Sequence, residues 1–425
     1  MKQKLFDMLS ERGFVKDMTH PDQIRDALNG TKKITFYLGI DPTADSLHIG
    51  HFFALRMFRH LQDAGHNGIL VIGGATALVG DPTGKSDMRQ MLSKEQVAHN
   101  IEEVKTLARR FVLPETEILD NADWINKFTY VDFMRLVCVH FNVNTMLAAE
   151  AYKLRRETGG LTFLEMGYMP MQAHDFVHLH QTRNCTLQIG GSDQWGNIVA
   201  GTELFRKINI EIGNAKSEIY GLTAPLLMTV DGKKMGKTEK GTLWVAREKT
   251  TPFEFYQYFY NMPDGNTGLL LSLFTDIPMP EIVAMCTTDI VGAKKRMAYE
   301  VTKLIHGEEL AVDAVAAAMS LFNGGPNAGT VPTAELKMSG DMNVVDFIVA
   351  AGLVPSKSEA RRTIEQGGLM VDGEKITDPT THIAMAEPAT RSLLSPEAQS
   401  AKGDGEGRSI LLQKGKKTFL KVVVK

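Results

Sequence analysis

The sequence predicts an α/β fold built on a doubly wound parallel sheet, followed by a helical domain and a small α+β module. Three observations predict it. Short β-branched and apolar runs, each closing on glycine, recur at residues 34–39, 69–74 and 186–191. The stretches between them carry helical periodicity, the pattern of strands joined by crossover helices. A glycine-rich break, Asn323-Gly324-Gly325-Pro326-Asn327-Ala328-Gly329, then sets apart the last part of the chain.

Each element has a local reason. Thr19-His20-Pro21-Asp22 opens a short helix with proline near its first position. Ile34-Thr35-Phe36-Tyr37-Leu38 is a strand that Gly39 ends, and Asp41-Pro42-Thr43 is a turn. The chain then starts a helix near Ser46, whose hydroxyl is expected to cap it. Ile69-Leu70-Val71-Ile72-Gly73-Gly74 reads as a buried parallel strand, and residues 94–158 as mostly helical with a break at Leu113-Pro114. Tyr168 to His180 is a helix, residues 186–191 a strand, and Ala224-Pro225-Leu226-Leu227-Met228 a further short strand. Domains are expected at residues 1–250 (Rossmann-like, catalytic, with a connective insertion), 251–322 (helical) and 342–425, with a linker at 323–341. Residues 401–407 read as a loop inside the last unit.

Composition narrows the class. With 43% hydrophobic and 23% charged residues and a net charge of −3, the chain has the balance of a globular protein. It contains no apolar run long enough for a membrane span and opens without a signal core, so a cytoplasmic location is expected. Cys138, Cys185 and Cys286 are too few and too scattered for a disulfide framework.

Two stretches carry chemistry. His48 and His51 stand three apart at the start of a helix, where unpaired amides and the helix dipole favour an anion. Taken alone they also fit an ordinary strand–turn–helix with surface histidines. Lys233, Lys234 and Lys237 lie in a glycine-containing loop at residues 231–238, suited to following a polyphosphate as its charge shifts. The loop Gly84-Lys85-Ser86 is no P-loop, because that motif requires glycine where Val79 stands. His174 and His178 have the spacing of a metal pair on one helix face, but no third ligand pattern accompanies them, and no protein-bound metal is expected.

Together these stretches resemble a family. His48-Ile49-Gly50-His51 spells the HIGH signature, and Lys234-Met235-Gly236-Lys237-Thr238 is a variant of the KMSKS loop of class I aminoacyl-tRNA synthetases. Residues 37–51 and Gly190-Gly191-Ser192-Asp193-Gln194-Trp195-Gly196-Asn197 are similar to those of bacterial-type tyrosyl-tRNA synthetases, and the resemblance runs over essentially the whole chain. It implies activation of tyrosine by ATP, with Mg2+, to tyrosyl-adenylate and pyrophosphate, then transfer to the terminal adenosine of tRNA. The alternatives are the tryptophan enzyme of the same fold, a nucleotidyltransferase of the superfamily that does not act on tRNA, and an inactive RNA-binding relative.

The resemblance also implies roles. Thr43, His48 and His51, with Lys85, Arg89, Lys234, Lys237 and Thr238, would act on the phosphates. Gly39, Gly190, Gly191 and Asp193 would join the histidines and Lys237 in holding ATP. Tyr168, Gln172 and Asp81 would bind the tyrosine ammonium, and Tyr37 and Asp175 its hydroxyl. Asp41 and Gln194 would lie near the reacting carboxylate. Tyr168, Gln172 and Asp175 have spacings of four and three, so they share one helix face. Leu38, His174 and Met235 depart from the residues the family often carries there.

The module from Ser356 to Gly373 resembles the S-four-like RNA-binding unit that ends these enzymes, with an Asp372-Gly373 turn between two strands. Lys357, Arg361, Arg362, Lys414, Lys416 and Lys417 would engage RNA. The family works as a homodimer, and residues 133–151 with Phe163 are the stretch expected at the subunit interface.

Overall fold

The computed structural model describes residues 3–83, 91–213, 218–232, 234–238, 241–322, 333–338, 340–383, 408–415 and 418–424. Lys85, Arg89, Lys416, Lys417 and the expected loop at 401–407 lie outside the described residues. By internal contacts the chain divides into two units: Met1–Lys249 with Pro263–Ala293, and Thr250–Met262 with Lys294–Lys425.

The first unit opens with helices α1 (Leu5–Arg12) and α2 (Pro21–Asn29), the latter with Pro21 in its first turn. Strand β1 (Thr35–Ile40) feeds α3 (Ile49–Asp63), and β2 (Asn67–Ile72) feeds the single turn α4 (Thr76–Val79). After α5 (Lys94–Arg109) comes β3 (Glu117–Asp120), then the short helices α6 (Ala122–Ile125), α7 (Tyr130–Leu136), α8 (Val143–Ala148), α9 (Glu150–Thr158) and α10 (Phe163–Met166). Helix α11 (Tyr168–Arg183), β4 (Cys185–Gly191), α12 (Trp195–Glu211) and β5 (Tyr220–Ala224) complete the sheet.

All five strands are parallel, in the order β3-β2-β1-β4-β5. The order reverses between β1 and β4, and a crevice at the carboxyl ends of these two strands is where such sheets bind ligands. Phe36, Tyr37 and Leu38 are consecutive and all buried, as a central strand covered on both faces requires.

Three sequence expectations about the sheet and α3 need correction. The 94–158 stretch contains β3, whose residues are only partly buried; a four-residue edge strand carries too little periodicity to stand out between helices. The strand expected at 224–228 lies at Tyr220–Ala224 instead. Its glycine at 221 weakens the strand signal, yet Ile198 packs where a Cβ would be, 2.2 Å away. Backbone bonds from Lys16, Thr19 and Thr223 knit residues 16–19 along the edge of β5 and cover it. Ser46 does not cap α3; the cap is His48. The Ser46 hydroxyl bonds to Leu47 O and accepts from Ala246 N.

Two-residue strands β6 (Lys237–Thr238) and β7 (Gly241–Thr242) form a hairpin in the same unit. The next helix, α13 (Pro252–Tyr260), belongs to the second unit, whereas α14 (Asp264–Phe274) and α15 (Met279–Thr288) return to the first. The expected helical domain at 251–322 is therefore split. Arg12 shows why: its guanidinium donates to the carbonyls of Ser272 at 2.9 Å, of Ile277 at 3.1 Å, and of Thr275, binding the end of α14 to α1. Arg56 adds a 2.7 Å bond to Asp276.

In the second unit, α16 (Ile290–His306), from Lys294 onward, and α17 (Glu308–Phe322) accompany α13. Strand β8 (Thr333–Leu336) falls inside the expected linker and pairs in parallel with the last strand of the chain. The module continues through β9 (Met342–Asn343), α18 (Val344–Ala350), α19 (Lys357–Glu365), β10 (Leu369–Val371), β11 (Glu374–Ile376), β12 (His382–Ile383), β13 (Arg408–Lys414) and β14 (Thr418–Val424). Its sheet runs β11-β10-β13-β14-β8 over a core that includes Phe347, Ile364, Leu412 and Val422. Asp372 and Gly373 both have positive φ, 49° and 83°, as a two-residue hairpin turn between β10 and β11 requires.

Candidate functional site

The histidine pair is built by the helix start itself. His48 is the cap of α3, and its Nδ1 accepts from the backbone N–H of His51 at 3.2 Å, while Nδ1 of His51 accepts from the N–H of His48 at 3.4 Å. The rings stack at 3.6 Å, 10° from parallel. Because a backbone nitrogen can only donate, each Nδ1 is an acceptor, so each neutral ring carries its hydrogen on Nε2. Two Nε2–H donors at a helix N-terminus are suited to an anion.

The lysine loop is tied to the same place. Leu243 N donates to Gly236 O at 2.8 Å, and Ile49 N donates to Leu243 O at 3.2 Å. Met235 is buried, and Gly236, with φ of +91°, approaches so closely that a Cβ there would lie 2.7 Å from Ile49. Lys234 is exposed, with Nζ 4.0 Å from Asp193. Asp193 sits in the turn Ser192–Gln194 just after Gly190 and Gly191, and burial raises its pKa, with Lys234 opposing. Lys237 and Thr238 form β6 beside them in sequence. Thr43 lies in the turn after β1, its N–H bonded to Asp41 O. Gly39 is exposed at the carboxyl end of β1, with open space where a Cβ would point.

The other end of the crevice is a buried polar network. Asp175 on α11 is 4% exposed. Its carboxylate accepts from Trp124 Nε1 at 2.7 Å and from Asn121 Nδ2 at 3.0 Å. Asn121 also bonds Thr76 Oγ1 at 3.1 Å, and Thr76 Oγ1 donates to Asp41 at 2.7 Å. Tyr168 donates its hydroxyl to the other Asp41 oxygen at 2.8 Å. Asp81 accepts from Gln194 Nε2 at 2.7 Å. Gly73 is required here, since a Cβ would fall 2.0 Å from Asp41 Oδ1.

Two buried polar atoms of this network have no hydrogen-bond partner among the described residues: the Tyr37 hydroxyl and Gln172 Oε1. Tyr37 is 1% exposed, and burial together with the Asp175 charge raises its pKa well above the ordinary value. Burial also raises Asp175, to about 7, against the two hydrogen bonds that lower it. A buried donor and acceptor left open in this way are what a bound hydroxyl and amine would fill.

Of the sequence-predicted residues, the structure joins Tyr168 to Asp41 and Gln194 to Asp81 by hydrogen bonds and sets Tyr37 near the Asp175 charge, while Gln172 lies on α11 between Tyr168 and Asp175. Sequence reasoning missed Thr76, Asn121 and Trp124. The signal was the polar run Asp120-Asn121-Ala122-Asp123 directly after Ile118-Leu119. It marks a strand's carboxyl end only once β3 is recognised as a strand.

His174 is partly buried against Phe128 and Phe133, and desolvation lowers its pKa to about 4; His178 stacks on Trp124 at 4.5 Å. Among the described residues, no group of three His, Cys, Asp or Glu side chains could hold a metal ion. In the second unit, Arg361 and Arg362 are exposed on α19, Lys357 pairs with Asp346 at 2.7 Å, and Lys414 pairs with Glu359 at 2.7 Å.

Residues 28–323 match the family described as tRNA synthetases class I (W and Y), and residues 327–392 match the tyrosine--tRNA ligase SYY-like C-terminal domain. The tyrosine--tRNA ligase of Clostridium kluyveri is 45% identical over 99% of both chains. That of Clostridium tetani is 44% identical over 100% of both. Among solved structures, a C-terminally truncated mitochondrial tyrosyl-tRNA synthetase of Aspergillus nidulans superposes with a TM-score of 0.67 at 28% identity, covering 76% of this chain and 95% of that one.

Proposed function

The chain belongs to the class I tRNA synthetases (W and Y), as a tyrosine–tRNA ligase, and from that premise we propose how its residues divide the work. In the reaction, the tyrosine carboxylate attacks the α-phosphate of ATP and pyrophosphate leaves; the tRNA terminal ribose then takes the tyrosyl group. No protein nucleophile takes part, so the chain's task is positioning and charge stabilisation.

Tyr37 and Asp175 receive the substrate hydroxyl, the first as donor and the second as acceptor. The observation that carries this reading is the buried Tyr37 hydroxyl left without a partner while Asp175 is held in place by Asn121 and Trp124. An amino acid lacking the hydroxyl would leave the Tyr37 hydroxyl buried and unpaired and give Asp175 no donor beyond Asn121 and Trp124, which is costly. Gln172, Tyr168 and Asp81 meet the ammonium, and Asp41 and Gln194 flank the carboxylate. Asp41 acts partly through Tyr168, which it fixes.

The His48 and His51 Nε2–H groups, with Thr43, face the phosphates of ATP, which arrives as its Mg2+ complex. Lys234, Lys237 and Thr238 close from the lysine loop, and Lys85 and Arg89 follow the leaving pyrophosphate. Gly39, Gly190 and Gly191 let the nucleotide lie against backbone, and Asp193 accepts from its ribose. The module after residue 342 binds tRNA through Arg361, Arg362, Lys357, Lys414, Lys416 and Lys417.

We also assign a homodimer. Phe163 is 68% exposed and Val139 67%, and Tyr130, Val131, Leu136 and Val143 are exposed beside them in sequence, more apolar surface than an isolated subunit ordinarily leaves open. Three free cysteines fit a reducing compartment, and we assign the cytoplasm.

Pyrophosphate exchange measured with each amino acid tests the reading. Tyrosine supports exchange and tryptophan and phenylalanine do not; exchange that depends on tryptophan would overturn the pocket assignment.

A further inference from the structure

The two signature stretches are joined by a clamp outside both of them. Residues 243–246, just after the lysine loop, run antiparallel to residues 46–49, just before α3. Val245 N donates to Leu47 O at 2.8 Å, Ile49 N to Leu243 O at 3.2 Å, and Ala246 N to the Ser46 hydroxyl at 3.3 Å, with a bridge between His48 and Trp244. Leu243 and Val245 are fully buried, so the clamp is anchored in the core. Its outer end is closed by one ion pair: Lys249 Nζ lies 2.6 Å from Asp45 Oδ1 and 5.5 Å from the centre of the Trp244 ring. Asp45 is three residues before His48. The Asp45 carboxylate and the Trp244 ring face together hold the ammonium at the outer end of the clamp.

We propose that Lys249 and Asp45 are a positioning pair for adenylate formation, which hold the approach to α3 so that the His48 and His51 rings face the phosphates. The proposal rests on the assignment of those histidines to the phosphates. The hydrogen bond from Lys249 holds the Asp45 carboxyl below its usual range. Both side chains are about a third exposed, 34% and 38%. An ion pair with that much solvent contributes little to global stability. Its effect on the reaction is another matter, because small displacements of groups around a transition state cost far more rate than the contact itself is worth in folding. The signature of the pair is therefore a loss of rate without a matching loss of stability or of tyrosine affinity.

The test is pyrophosphate exchange in the full-length chain for Lys249→Met, Asp45→Asn, the double variant and Lys249→Arg, alongside tyrosine affinity by calorimetry and thermal midpoints. Lys249→Met and Asp45→Asn each lower kcat by roughly ten- to a hundredfold, with tyrosine affinity and midpoint close to those of the unaltered chain. The double variant is no slower than the worse single one, since both break the same contact. Lys249→Arg restores most of the rate. Additive losses would show Lys249 touching ATP directly and overturn the proposal, as would unchanged kcat in either single variant, or a rate loss that tracks the midpoint. His48→Ala in the same assay separates the two levels. If His48→Ala is harmless, the histidine assignment fails; if it is slow while Lys249→Met is not, only the positioning pair fails.

Discussion

The two ends of the crevice are built on opposite principles. At the amino-acid end, Asp175 is buried on α11, both of its oxygens are occupied, and the chain Asn121–Thr76–Asp41–Tyr168 fixes the surrounding side chains before any ligand arrives. At the phosphate end, Lys234 is exposed and reaches Asp193 only at 4.0 Å, and the loop rests on two-residue strands. The difference follows from the tasks. Recognising one hydroxyl requires desolvated groups whose only satisfactory partner is that hydroxyl. Stabilising a departing pyrophosphate requires charges that move with it, and a flexible ammonium does so at small cost. Selectivity and rate therefore reside in different materials and should fail separately.

The largest effect expected tests the rigid end. Asp175→Ala removes the acceptor for the substrate hydroxyl and leaves Trp124 Nε1 and Asn121 Nδ2 facing an apolar gap. Tyrosine-dependent pyrophosphate exchange drops by about a thousandfold or more, equivalent to losing about two charge-assisted hydrogen bonds. Circular dichroism remains that of the folded chain. Unchanged exchange kinetics would place the hydroxyl site elsewhere and erase the comparison. Next is Lys237→Ala at the phosphate end, which slows adenylate formation by about a hundredfold in single-turnover measurements while tyrosine affinity stays the same. A change confined to tyrosine affinity would contradict the separation.

The two ends also differed in how much of them the sequence revealed. The phosphate end rests on contiguous strings, because a helix start or a short loop supplies its groups locally; His48-Ile49-Gly50-His51 and the lysine loop could be read without a fold. The pocket draws on β1, α4, the end of β3 and α11, so only its helical part, Tyr168, Gln172 and Asp175, shared a legible spacing. Asn121 and Trp124 stayed hidden because β3 is short and sits among helices. The doubly wound sheet itself was legible from glycine-ended apolar runs. The return of α14 and α15 to the first unit was not, since it rests on bonds between residues more than 200 positions apart, Arg12 to the Ser272 carbonyl and Arg56 to Asp276.

A subtler change should sharpen the contrast within the phosphate end. Gly236→Ala places a methyl group 2.7 Å from Ile49 in a backbone region with φ of +91°. The lysine loop shifts away from the start of α3, and adenylate formation slows by about tenfold. Tyrosine affinity, set at the other end, is unaffected. If affinity and rate fell together, the ends would share one scaffold and not two.

The smallest effect is a pH dependence confined to the pocket. Asp175 rises from an ordinary value of 3.8 to about 7, first because burial penalises its charge and then because Asp41 and Asp120 repel it, while Asn121 and Trp124 pull the other way and the Tyr37 hydroxyl stays neutral. In the folded chain the group holds a proton that the unfolded chain has already lost at any pH between those two values. Its contribution to stability is therefore complete below 3.8, declines as pH rises through the window, and is gone above about 7. Asp175→Asn cannot titrate and keeps an acceptor for only one of the two donors, which adds an offset that does not vary with pH. Thermal midpoints of the two chains should thus diverge in favour of the variant as pH rises from 3.8 to about 7, by a few degrees at most, and run parallel beyond it. Curves that are parallel throughout would mean that Asp175 is ionised in the empty pocket at every pH in the window. The rigid end would then already hold its charge, and binding tyrosine would release no proton.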